Sequence, residues 1–97
     1  MKNYLYYNEL YDYYKELFTE KQQMYFEDYY FNNLSLAEIG ENYGVSRNAV
    51  HNQLKIIEKN LEQYEEKLKL YEKRNKIIDI LEDKIDNNIM DKIKGII

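Results

Sequence analysis

The chain has 97 residues, a formal net charge of −4, no cysteine, no proline and three glycines. That length suits one domain, 1–97, near the small end of what folds alone. The missing cysteines exclude disulfides and thiolate metal sites and suit a reducing cytosol.

Charge is even along the chain: two basic against three acidic residues over 1–18, four against six over 19–60, and eight against nine over 61–97. No basic tail is present, which argues against indiscriminate nucleic-acid binding through phosphate neutralisation. Twelve tyrosines and no tryptophan make the apolar content semi-polar at its rim. The scarcity of Gly and Pro, with Leu, Glu, Lys and Gln filling the rest, predicts an all-α fold. "MKNYLYYNEL" lacks the apolar run of a signal peptide, and the apolar C-terminal segment carries charges every few residues, so a cytoplasmic protein without a membrane span is expected.

Residues 4–18 read as a first helix, with Tyr7, Leu10, Tyr11, Tyr14, Leu17 and Phe18 in one stripe. Such a stripe normally faces a core; Tyr6 and Tyr13 fall off its line and widen it. Thr19 opens a second helix as a capping box with Gln22. Tyr25, Phe26, Tyr29 and Tyr30 form its apolar face, and Asn32 and Asn33 are suited to a left-handed stop.

"SLAEIGENYGVSRNAV", residues 35–50, repeats the capping box with Ser35 and Glu38. Leu36 and Ile39 point inward, Gly44 suits the positive φ of a helix end, Val45 plugs the turn and Ser46 caps a fourth helix. Two capped helices joined by a short Gly-containing turn are the pattern of a helix-turn-helix. In such units the N-terminal part of the second helix meets base edges. Its outward residues here are Arg47, Asn48, His51, Asn52 and Lys55, because Ala49, Val50 and Leu54 turn inward. Asn suits adenine and Arg suits guanine or phosphate. A plain solvated face is the alternative, and Glu58 begins an acidic stretch one turn later.

Past Ser46 the pattern predicts an unbroken helix to about residue 73, roughly 42 Å long. Val50, Leu54, Ile57, Leu61, Tyr64, Leu68 and Tyr71 follow a heptad-like seam that needs a mate. "EKRNK" at 72–76 reads as a joint, after which Ile77, Ile78, Leu81, Ile85, Ile89 and Ile93 supply a fifth helix packing on the fourth. The seam serves equally for a homodimer. The remaining charge runs, "EE" at 65–66 among them, read as solvated surface. The lone His51 has no clustered ligands or catalytic partners, so no metal site, cofactor or enzymatic activity is expected.

The portion from Phe18 to Leu61 resembles region four of primary sigma factors, although 97 residues leave no room for the region that grips RNA polymerase. Over about residues 1–75, the aromatic first helix, "LFTEKQ", "DYYFNNLSLAEIGENYGVSRNAV" and "IEKNLEQYEEKL" resemble the YlxM family of small helix-turn-helix proteins. That resemblance implies a regulatory role on DNA or structured RNA, with Arg47, Asn48, His51, Asn52 and Lys55 on the recognition surface. The family's genes typically sit beside that of Ffh, the GTPase of the signal recognition particle, which implies a role in co-translational targeting. An adaptor of that GTPase, using exposed Tyr6 or Tyr13 and the Glu-rich long helix, is the other reading. Asp28 departs from the family's apolar pattern on helix two, so that helix is expected to be shifted or exposed there.

Overall fold

The computed structural model describes residues 4–97. Among them the order is α1 (Tyr4–Tyr14), a 3-10 turn (Lys15–Leu17), α2 (Glu20–Tyr30), α3 (Leu36–Tyr43), α4 (Arg47–Leu68), α5 (Leu70–Leu81) and α6 (Asn87–Ile96). The all-α bundle expected from composition is present, with a long fourth helix at its centre. The caps act where the sequence puts them: Thr19 with Gln22 and Ser35 with Glu38 form complete capping boxes. Ser46 Oγ accepts from Ala49 N–H at 3.1 Å.

One core holds the bundle together. Leu10, Tyr11 and Tyr14 of α1, Phe26 of α2, Ile39 of α3 and Val50, Leu54, Ile57 and Leu61 of α4 are all essentially inaccessible to solvent. α4 packs against α1, α2 and α3; α5 folds back on α1 and α4, and α6 packs on α5. The ring of Phe26 stacks between Tyr11 and Tyr30, at centroid distances of 4.1 and 4.3 Å.

Tyrosine hydroxyls in such a core need acceptors, because a buried unpaired polar group is costly. Carboxylates supply them. Tyr7 donates to Glu62 at 2.6 Å, Tyr11 to Glu27 at 2.6 Å and Tyr14 to Glu65 at 2.7 Å. Tyr30 donates to Glu58, and Tyr43 to Asp28 at 2.6 Å. The row Glu58, Glu62 and Glu65 on α4 is thereby tied to α1 and α2. Burial and the carboxylate bond together push the Tyr14 hydroxyl up to about 12, and the bond to Asp28 does the same for Tyr43.

Five expectations need correction. The first helix ends in a 3-10 turn, which rotates Leu17 out of the stripe to 54% exposure while Phe18 remains buried. The fourth helix does not run to 73: Lys69 takes φ +56°, the left-handed region, and α5 starts at once. Residues 72–76, read as the joint, lie inside α5, and the mate is two helices, since Asp86 caps α6 by accepting from Ile89 N–H at 2.8 Å. Glu65 is not solvated surface but buried, at 8% exposure.

The break at Lys69 and the burial of Glu65 have one cause. The Glu65 carboxylate accepts from Tyr71 N–H at 3.1 Å and Glu72 N–H at 2.9 Å, while Tyr14 Oη accepts from Leu70 N–H at 3.2 Å. Side chains of α4 and α1 therefore satisfy the first amides of α5, which would otherwise be orphaned. A left-handed lysine costs roughly 1–2 kcal/mol; that cost is offset by the cap and by the burial of Tyr14. Asp28 joins α2 to α3 through Tyr43, and its second oxygen accepts from Asn32 Nδ2 at 3.1 Å. Asp28 is half-buried within a regular α2, so the helix is neither shifted nor exposed there, and its carboxylate is used in a specific contact.

Candidate nucleic-acid interface

The site is built on α3, the turn and the first turns of α4. The turn is tight for two reasons. Gly44, at φ +69°, ends α3 in the left-handed region, and Val45 N–H returns to the Gly40 carbonyl at 2.9 Å. Gly40 is the second reason. A Cβ there would stand 2.6 Å from the Val45 carbonyl oxygen, so only glycine lets α3 approach the turn this closely. Gly44 is recognisable in the sequence from its place after the helix; Gly40 lies inside a helix, and its role follows only from the spatial approach.

Ser46 then fixes the start of α4, and the residues beyond it divide by face. Arg47, Asn48, Asn52 and Lys55 are exposed, and His51 is half-buried. Val50 and Leu54 are in the core. Among the described residues, neither Arg47 nor Lys55 forms an ion pair. Beside this face a cleft of about 510 Å³ runs between the start of α2 and α4, lined by Thr19, Lys21, Gln22, Ala49, Asn52 and Gln53 among others. Lys21, at the edge of that cleft, lies 5.7 Å from the Tyr25 ring centroid. Its cation adds to the charge contributed by α4.

The acidic stretch after Lys55 is arranged differently from a free solvated run. Glu58 is held by Tyr30, Glu62 by Tyr7 and Glu65 by Tyr14, which turns these carboxylates toward α1 and α2. Lys55 and Lys59 remain exposed.

The seven seam positions do not share one helix face. Val50, Leu54, Ile57 and Leu61 lie in the chain's own core, Tyr64 and Tyr71 pack at its edge, and Leu68 is exposed. Tyr71 belongs to α5, because the turn at Lys69 interrupts the period. Tyr6 and Tyr13, expected to be exposed, are half-buried. Tyr6 packs edge-on against Tyr71 at 5.8 Å, and Tyr13 Oη donates to the Ile97 carbonyl at 2.8 Å. Among the described residues no helix is long and apolar enough to cross a membrane.

Comparison with known proteins agrees with this architecture. The family described as "Putative helix-turn-helix protein, YlxM / p13 like" matches residues 1–96. A UPF0122 protein of Geobacillus kaustophilus is 51% identical over 81 residues, covering 80% of this chain and 74% of the relative. One from Halalkalibacterium halodurans is 46% identical over 82 residues, covering 81% and 75%. One from Malacoplasma penetrans is 44% identical over 84 residues, covering 87% and 78%. With its helix-turn-helix formed by α3, the Gly44 turn and α4, the chain belongs to the UPF0122 family of YlxM / p13-like helix-turn-helix proteins.

Proposed function

We propose that the protein is a cytoplasmic nucleic-acid-binding regulator that uses the N-terminal turns of α4 on DNA or structured RNA, acting in the signal recognition particle pathway. The observation that carries this reading is the exposed row Arg47, Asn48, Asn52 and Lys55 at the start of a capped second helix. Both cations of that row are without an ion-pair partner among the described residues. The residue types are those that nucleic acid requires. Guanidinium and ammonium groups neutralise phosphate, and the two carboxamides read base edges. A homodimer presenting two such helices about 34–36 Å apart fits successive half-sites of duplex DNA.

The test is charge reversal. Arg47→Glu with Lys55→Glu abolishes binding to duplex DNA and to a small structured RNA while leaving circular dichroism unchanged. Retained binding by that variant removes the α4 row from the account.

A second reading is an adaptor of the signal recognition particle GTPase Ffh, without DNA binding. It is favoured by the groove of about 690 Å³ between α4 and α5, where the carboxylates Glu62, Glu65, Glu66, Glu72 and Asp79 outnumber Lys69 and Lys76 beside Tyr6 and Tyr71. An acidic groove suits a basic, RNA-binding partner, chiefly through association rate. Under this reading the same charge reversal is silent, and Ffh capture is lost on changing Glu62 and Glu66 to Gln.

A further inference from the structure

The helices after the Lys69 turn bury little of their own surface. No residue of α5 is fully buried, and α6 buries only Met90. Among the described residues, half of the large apolar side chains left exposed lie from Leu68 to Ile96. Four of these six fall together. Leu70, Ile77 and Ile96 line one apolar cleft of about 350 Å³ between α5 and α6, and Ile80, 63% exposed, continues the same face of α5 one turn on. Helices of this length are marginal unless an apolar face is covered, and contiguous apolar surface is uncommon on a monomer.

The charges beside this stripe indicate what covers it. Lys73, Arg74 and Lys76 lie in the N-terminal half of α5, where Lys76 also pairs with Glu72 at 3.4 Å, and Asp79, Glu82 and Asp83 lie at its C-terminal half and just beyond; Lys73, Lys76, Asp79 and Asp83 are exposed. Two copies of α5 laid antiparallel about a two-fold axis near Ile77 and Ile80 set the basic half of each against the acidic half of the other. A parallel arrangement sets like against like. A two-fold interface must be self-complementary, and this helix is so in both its apolar stripe and its charge. The seam residues Val50, Leu54, Ile57 and Leu61 offer no such surface, because they are filled from within the chain.

We infer that the chain homodimerises through the exposed Leu70–Ile77–Ile80 face of α5, flanked by Ile96, in an antiparallel two-fold pairing steered by Lys73 and Lys76 against Asp79 and Asp83. This pairing rests on the homodimer reading but is independent of nucleic-acid binding.

Sedimentation equilibrium of the full chain without nucleic acid tests it. The wild type sediments as a dimer at tens of micromolar. Ile77→Glu with Ile80→Glu raises the dimer dissociation constant at least about 30-fold with helical content unchanged; the milder Ile80→Ser moves it in the same direction. Lys73→Glu with Lys76→Glu also weakens the dimer, and adding Asp79→Lys and Asp83→Lys restores it. A monomeric wild type overturns the homodimer altogether and leaves the face to another partner. A dimer indifferent to the α5 variants overturns this face alone. Charge reversal that is not rescued by its complement overturns the antiparallel pairing. Loss of nucleic-acid binding by the Arg47/Lys55 variant is a separate readout, so failure of either claim is distinguishable.

Discussion

Replacing Glu65 perturbs the one buried carboxylate that holds the C-terminal helices to the core. Its two oxygens accept three bonds, from the Tyr14 hydroxyl and from the amides of Tyr71 and Glu72. Glu65→Ala removes the N-terminal cap of α5, worth about 1 kcal/mol, and strands the buried Tyr14 hydroxyl, a further ~2 kcal/mol. The expected loss is therefore ~3 kcal/mol, a large share of the roughly 5–15 kcal/mol that such a domain has. At this size that corresponds to a fall in Tm of roughly 12–24 °C. Glu65→Gln keeps one acceptor oxygen but presents an amide nitrogen to a backbone N–H, so it loses less, about 1–2 kcal/mol. Urea unfolding followed by circular dichroism measures both. Hydrogen exchange at Tyr71 and Glu72 then shows whether the loss is local to the start of α5. A Glu65→Ala protein within about 0.5 kcal/mol of wild type refutes the capping argument, as does a Gln variant as damaged as the Ala variant.

Two further outcomes follow from the same geometry. Gly40→Ala places a methyl against the Val45 carbonyl, which is backbone and cannot turn away; chemical denaturation should show a loss of about 1–3 kcal/mol, and an unchanged midpoint contradicts the close approach. Alkaline pH should unfold the protein, because Tyr7, Tyr11, Tyr14, Tyr30 and Tyr43 all have hydroxyls raised above their ordinary range. The folded state holds these protons more tightly than the unfolded chain. Their contribution is therefore complete below the unfolded value of about 10 and is lost as pH climbs through the folded values, which for Tyr14 and Tyr43 are about 12. Tyrosinate absorbance rising together with loss of helix is the expected result; titration of these groups near pH 10 in an intact fold contradicts it.

The parts of this fold that sequence made legible are those written locally. A hydroxyl three residues before Gln22, another before Glu38 and the glycine after Tyr43 each act within one turn of chain, and each acts as the spacing predicts. The end of α4 is different. No Gly, Pro or Asn marks it; Lys69 adopts the left-handed conformation because Glu65 and Tyr14 satisfy the amides that follow, and Tyr14 lies 56 residues before the Leu70 amide it serves. The heptad-like spacing up to Tyr71 continues across that turn, so periodicity alone extends the helix too far.

The same limit applies to charge. From Glu58 the sequence reads as an acidic stretch, with "EE" at 65–66 as solvated surface, because the tyrosines that bind Glu58, Glu62 and Glu65 lie far off in sequence, on α1 and α2. Of the acids that follow Lys55, Glu58 is half-buried and Glu65 buried, while Glu62 and Glu66 stay exposed. For the candidate interface, inward and outward positions follow from helical spacing: Val50 and Leu54 inward, Arg47, Asn48, Asn52 and Lys55 outward. The half-burial of His51 and the neighbouring cleft with Lys21 depend on the packing of α2 beside α4, which spacing along α4 does not contain.

The most direct test of the central claim is a binding titration of the wild-type chain against duplex DNA and a small structured RNA at several salt concentrations. Binding through Arg47 and Lys55 predicts an affinity that falls with salt, with a log–log slope of about −2 per α4 helix engaged on duplex DNA. No binding even at low salt contradicts the claim and leaves the helix-turn-helix as a scaffold for a protein partner.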